Sequence, residues 1–301
     1  MDIRKAETAS EGRRRRRIFI LLLLTGVAVA AAATLLHQPS QPAEAYGFSA
    51  ERARAFLESQ LVPEAGLLRA AVHAEPDKHR IYIASDNLLA SRALMALDSL
   101  LGRKIQDKLA AEYGNGFNSR HEVLFGVDIP DQFYAQTNVK VGTIYSAKFN
   151  TTFEILFEKP DFARVMHDWA EYADLLAYRV LEHVFQGRAD EARQLFSKLL
   201  QKWDGIGFRD KAYDGRYETY KVALALYLSE AFKKATGSYP AEEKLIKAWR
   251  NLLSQTQRDD GGVATHYAVE DGKPKHIGDA NTETTSITAL AFEAHKLFNR
   301  S

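Results

Sequence analysis

Cysteine is missing from all 301 residues. That excludes disulfides, zinc–thiolate sites, iron–sulfur clusters and a cysteine nucleophile. A chain of this length can bury a sizeable core without cross-links. No sign of charge dominates either, with 40 Lys and Arg against 39 Asp and Glu. Residues 1–17 hold seven basic and three acidic side chains, which leaves 33 against 36 in the remainder. Such a body lacks the basic face that nucleic acid requires, so no nucleic-acid partner is expected. Also missing are His-Glu-x-x-His, paired histidines, an EF-hand loop, Gly-x-Ser-x-Gly and a phosphate-binding loop. No metal and no cofactor are therefore expected.

What is present begins with a basic run, Arg13 to Arg17, followed by uncharged residues 18–36. Nineteen helical residues span about 28 Å, enough to cross a bilayer core. The positive-inside rule makes 1–17 a cytoplasmic tail, 18–36 a signal anchor and partner of the membrane, and the rest extracytoplasmic. The alternative is secretion after cleavage at Ala43-Glu44-Ala45. Residues 37–48, with Pro39 and Pro42, form a linker to a domain at 49–301.

Within that domain, apolar residues recur at helical spacing in Ser49–Leu61, Leu88–Leu101, Arg103–Tyr113, Phe162–Phe185, Arg188–Trp203, Val222–Phe232, Pro240–Gln257 and Thr284–Phe298. Some are apolar nearly all round and others on one face, which predicts inner and outer helices. His121–Val127 and Val139–Tyr145 read as short strands, and Asp271-Gly272 as a hairpin turn. Asn150-Thr151-Thr152 is a glycosylation sequon. The expectation is an all-α fold, an (α/α) toroid of about four or more helical hairpins with small β-hairpins in its loops.

Two glycine-bearing stretches, Gln201-Lys202-Trp203-Asp204-Gly205-Ile206-Gly207-Phe208 and Gln257-Arg258-Asp259-Asp260-Gly261-Gly262, resemble the loops of terpenoid cyclases and protein prenyltransferases. The helix openings Ser85-Asp86-Asn87-Leu88-Leu89, Tyr217-Glu218-Thr219-Tyr220 and Thr282-Glu283-Thr284-Thr285 are similar to those of six-hairpin glycosidases. The resemblance implies the toroid over 49–301. The cyclase acidic motifs and the prenyltransferase zinc cysteine are missing, so it carries over no catalytic residue from that side.

Asp86, Glu218 and Glu283 align at the openings of inner helices, on one rim. In one reading they cap backbone N–H groups and oppose helix dipoles. In the other, carboxylates around one cavity supply the acid and base of glycoside cleavage. The second makes Asp86, Glu283 and Asp260 candidate catalytic residues, with Glu218, Asn87, Trp203, Asp204, Tyr217, His266 and Tyr267 binding substrate. The function expected is carbohydrate handling with a glycan ligand, as a glycoside hydrolase using paired carboxylates. The alternative is a non-enzymatic surface module, with the acids as caps.

Overall fold

A change in apolar spacing, from every third or fourth residue to every second, marks where helix gives way to sheet. In this chain the change occurs more often than the sequence pattern suggests. The computed structural model describes residues 47–299. Among these there are eight α-helices and three sheets. The fold is mixed α/β, and the all-α toroid expected above is overturned.

The helices are α1 (Ala50–Ser59), α2 (Leu89–Ala96), α3 (Leu100–Glu112), α4 (Ala173–Phe185), α5 (Ala189–Leu200), α6 (Thr219–Thr236), α7 (Glu243–Thr256) and α8 (Thr282–Asn299). Four of them form a buried row in the order α2, α8, α6, α4, each packed on the next. Leu175, Leu176, Val180 and Leu181 of α4 and Val222 to Leu228 of α6 are almost wholly removed from solvent. Helices α1, α3, α5 and α7 shield the row and keep only one apolar face inside, such as Ile246, Trp249 and Leu253 of α7. Gly102 lets α3 lie close on α2, because a Cβ there would stand 2.5 Å from the Ser91 carbonyl oxygen.

The strands are β1 (Leu61–Val62), β2 (Leu67–Leu68), β3 (Arg80–Tyr82), β4 (Tyr134–Ser146), β5 (Thr151–Val165), β6 (Tyr217–Glu218), β7 (Ala264–Glu270) and β8 (Lys273–Ala280). They make a β1–β2 pair and two three-stranded sheets, ordered β3-β5-β4 and β6-β7-β8. β4 and β5 form a long antiparallel hairpin, and β3 joins β5 in parallel over Glu154 to Leu156. The β7–β8 hairpin turns at Asp271-Gly272, both at positive φ.

Three sequence expectations fail for identifiable reasons. Phe162–Phe185 is not one helix, since β5 runs on to Val165 and α4 starts at Ala173. Pro160 sits inside β5 beyond the end of β3, where the strand has one neighbour and one side needs no donor. His121–Val127 is not a strand: His121–Phe125 is a 3₁₀ turn, because Glu122 accepts the backbone N–H groups of Asn118, Ser119 and Arg120. Leu88–Leu101 is broken by Asp98 at φ 58°, after which Ser99 caps α3.

The tail, the anchor at 18–36 and most of the linker lie outside the described residues. Among the described residues no helix is long and apolar enough to cross a membrane. The membrane-anchored location expected above is corrected to that extent: none of the described residues carries a span.

Candidate functional site

Helix N-termini carry partial positive charge and unpaired N–H groups. At each of the four buried helices an acid stands at that end: Asp86 before α2, Asp174 in α4, Glu218 before α6 and Glu283 in α8. If these acids were caps, they would hold their own helix N–H groups. The caps come from elsewhere. Glu158 of β5 accepts the N–H of Ala84 at 2.9 Å and of Ser85 at 3.0 Å, together with the Ser85 hydroxyl. Asp210 accepts the N–H of Ala173 at 2.8 Å. Asn281 accepts the N–H of Thr284 at 2.8 Å, and no side chain caps α6.

The freed acids line a cleft. One cavity of about 340 Å³ is walled by Asp77, Asp86, Glu158, Asp174 and Glu283, with Tyr82, Tyr178 and Tyr220. Amides join them from β4 and the neighbouring loops, namely Asn118, Gln136, Asn138 and Asn281. A second cavity of about 340 Å³ shares Asp77, Tyr220, Asn281 and Glu283 as walls and continues past Glu218, Arg216 and His266. Glu283 therefore borders both halves. Its position is fixed by ties between β8 and residues 69–74. Asp279 accepts the N–H groups of Val72, His73 and Ala74, and Thr282 donates its hydroxyl to the Arg69 carbonyl.

Burial, with like charges added to it, raises the acids of the cleft. Burial, then the nearby charges of Glu158, Glu218, Asp174 and Asp77, push Glu283 up to about 8. Burial raises Asp86 well above the usual carboxylate range, with Glu283, Glu158 and Asp77 adding to it. Asp86 is only 3% exposed, and its Oδ2 has no hydrogen-bond partner. A buried carboxyl oxygen without a partner is costly, so such atoms are rare outside sites that use them. Burial also raises Glu218, against the pull of Lys221. His121 stays neutral at physiological pH, because burial and then Arg120 press it down to about 3.

The structure thus brings Asp86, Glu218, Glu283 and His266 to the cleft. It does not bring the others. Asn87 is spent inside the fold, donating to the carbonyls of Leu68 and Tyr82 and accepting the Leu68 N–H. Asp260 lines a separate surface pocket and accepts the Gly262 N–H in its own turn. Trp203 packs edge-on against Phe208 and Trp249. Asp204 accepts the Tyr217 hydroxyl at 2.7 Å and the N–H groups of Ile206 and Gly207. Tyr217 stacks on Tyr267, whose hydroxyl donates to the Ile206 carbonyl. Gly207 fits beneath them, where a Cβ would lie 2.2 Å from the Tyr217 ring. That cluster is structural.

Sequence reasoning missed Glu158, Asp174, Arg120 and His121. Asp174 was hidden by the helix drawn through 162–185. Glu158 carried a signal, a charge at the end of the apolar run Ile155-Leu156-Phe157, and it is indeed buried. No family model, curated protein or solved structure matches the chain.

Proposed function

We propose that the cleft binds a carbohydrate chain and cleaves a glycosidic bond in it. The observation that carries this reading is Glu283, an acid held protonated near neutral pH where two polar cavities meet. Glycoside cleavage needs one carboxylic acid to protonate the leaving oxygen and one carboxylate to act on the opposite side. Glu283 supplies the proton. Glu158, fixed by the N–H groups of Ala84 and Ser85, takes the proton of the attacking water. The carbon–oxygen bond to the leaving sugar breaks and the bond to water forms, with no net change in the protons held by the site. Asp86 faces the same cavity and binds substrate through Oδ2. The partly exposed Tyr82 and Tyr220 stand on that wall for contact with sugar, and Asn138, Gln136 and Asn281 offer donors and acceptors.

The test is release of reducing ends from a panel of glycans by the full chain and by Glu283→Gln. Cleavage by the native chain and its loss in the variant support the reading. Equal rates in both would sink the role of Glu283. The amide-rich wall favours a second reading, a binding module without catalysis. Glycan binding by the native chain with no cleavage of any bound glycan would select that one.

A further inference from the structure

The first cavity gathers five acids, Asp77, Asp86, Glu158, Asp174 and Glu283, against one cation, Arg120. Lys221 is engaged by Asp210 at 2.7 Å and by Glu218. Arg216 is turned to Asp214. Arg120 gives its Nη2 to the Tyr134 carbonyl and Met166 Sδ and leaves its Nε without a partner, so its one charge is outnumbered by the acids, and His121 in the first cavity is neutral. Among the described residues no three His, Asp or Glu side chains gather as metal ligands. The acids are spread along a wall instead, and on that wall Asp86 keeps a buried Oδ2 with no partner. A polyanionic glycan would meet repulsion along this wall. A ligand that brings its own positive charge would supply what is missing.

We propose that the glycan taken by this cleft carries free ammonium groups, with one of them seated against Asp86 Oδ2. This rests on the carbohydrate reading above and names the substrate class within it. When the ammonium arrives, Asp86 releases its proton to solvent and forms an ion pair. That local pair is neutral, so Glu283 keeps the proton it needs. Charge-assisted hydrogen bonds to a desolvated carboxylate are among the stronger polar contacts available.

The experiment compares binding of three matched ligand sets to the full chain by ligand-observed NMR and calorimetry. They are glucosamine, N-acetylglucosamine and glucuronate, each as the monosaccharide and as oligosaccharides. The expected result is binding of the glucosamine set about tenfold or more tighter than the N-acetylated set. Added salt should weaken that preference, and glucuronate should not bind. In Asp86→Asn, checked for fold by circular dichroism, the glucosamine set should bind no tighter than the N-acetylated set. In Glu283→Gln the preference should stay and cleavage should slow by roughly 10²–10⁴-fold. Equal or tighter binding of the N-acetylated or acidic set overturns the ammonium proposal and leaves the carbohydrate reading standing. If no member of any set binds, both fall.

Discussion

Asp204 and Asp86 are the same residue in opposite circumstances, and the contrast separates structure from chemistry in this molecule. Asp204 lies in the loop before α6. Burial presses it upward, but the Tyr217 hydroxyl, the N–H groups of Gly207 and Ile206, and Arg209 together hold it below the usual carboxylate range. Asp86 lies in the turn before α2, where its neighbours are other acids and Oδ2 has no partner. Around Asp204 every demand for a hydrogen bond is met from within the fold. Around Asp86 and Glu283 the fold assigns the capping work to Glu158, Asp210 and Asn281, leaving carboxyls that face a cavity. A satisfied acid stabilises its loop, whereas an unsatisfied one costs stability and is available to a ligand.

The contrast can be broken most sharply at Glu283. Glu283→Gln should lower the rate of glycan cleavage by roughly 10²–10⁴-fold, since the amide keeps the shape but has no proton to give. A reducing-end assay at pH 6 measures this, and a loss under about fivefold contradicts the assignment. Binding of the same glycan should be kept.

Stability against pH is the next largest effect. The folded chain holds a proton on Glu283 that the unfolded chain loses above 4.5. This contribution is therefore fully present below pH 4.5 and is lost as pH rises through about 8. Denaturant unfolding should show a decline on the order of 3 kcal/mol across that window, allowing for the water that reaches the cleft. Glu283→Gln should flatten the decline. A native curve already flat over the window would refute the protonated acid.

Asp204→Ala should cost about 1–3 kcal/mol, because it leaves two N–H groups and the Tyr217 hydroxyl without their acceptor. Cleavage and ligand binding should be unaffected apart from that loss. The smallest change is expected at Asp86, with the opposite sign. Asp86→Asn removes a buried acid surrounded by like charge, so the melting temperature near pH 8 should hold or rise slightly, by less than about 1 kcal/mol in stability. A drop as large as that of Asp204→Ala would mean that Asp86 is structural after all.

Individual helices were legible wherever one face or all faces carried apolar residues at helical spacing, as in α5, α6 and α7. The class was not legible, because β5 is read wrongly from its sequence. Phe162 and Val165 stand three apart, as on one face of a helix, and only the pairing of β5 with β4 shows that the chain is strand there. The site was half legible. Glu218 and Glu283 share a local pattern at a helix opening, which marks position without revealing whether the acid caps. The cap beside Glu283 is the nearby Asn281, but those before α2 and α4 are Glu158 and Asp210, far from the helices they cap in sequence. The aromatic and aspartate cluster at Trp203, Asp204, Tyr217 and Tyr267 reads like a sugar platform for the same reason. Its side chains face each other, a fact of tertiary packing that composition cannot convey.

The charge state of one side chain, Glu283, decides whether the cleft holds an acid at neutral pH. A carboxyl carbon NMR titration of the chain labelled at glutamate, with Glu283→Gln to assign the signal, reads it directly. The resonance of Glu283 should move with a midpoint near 8. A midpoint near 4.5, the ordinary value, would show an acid ionised at neutral pH and contradict the account.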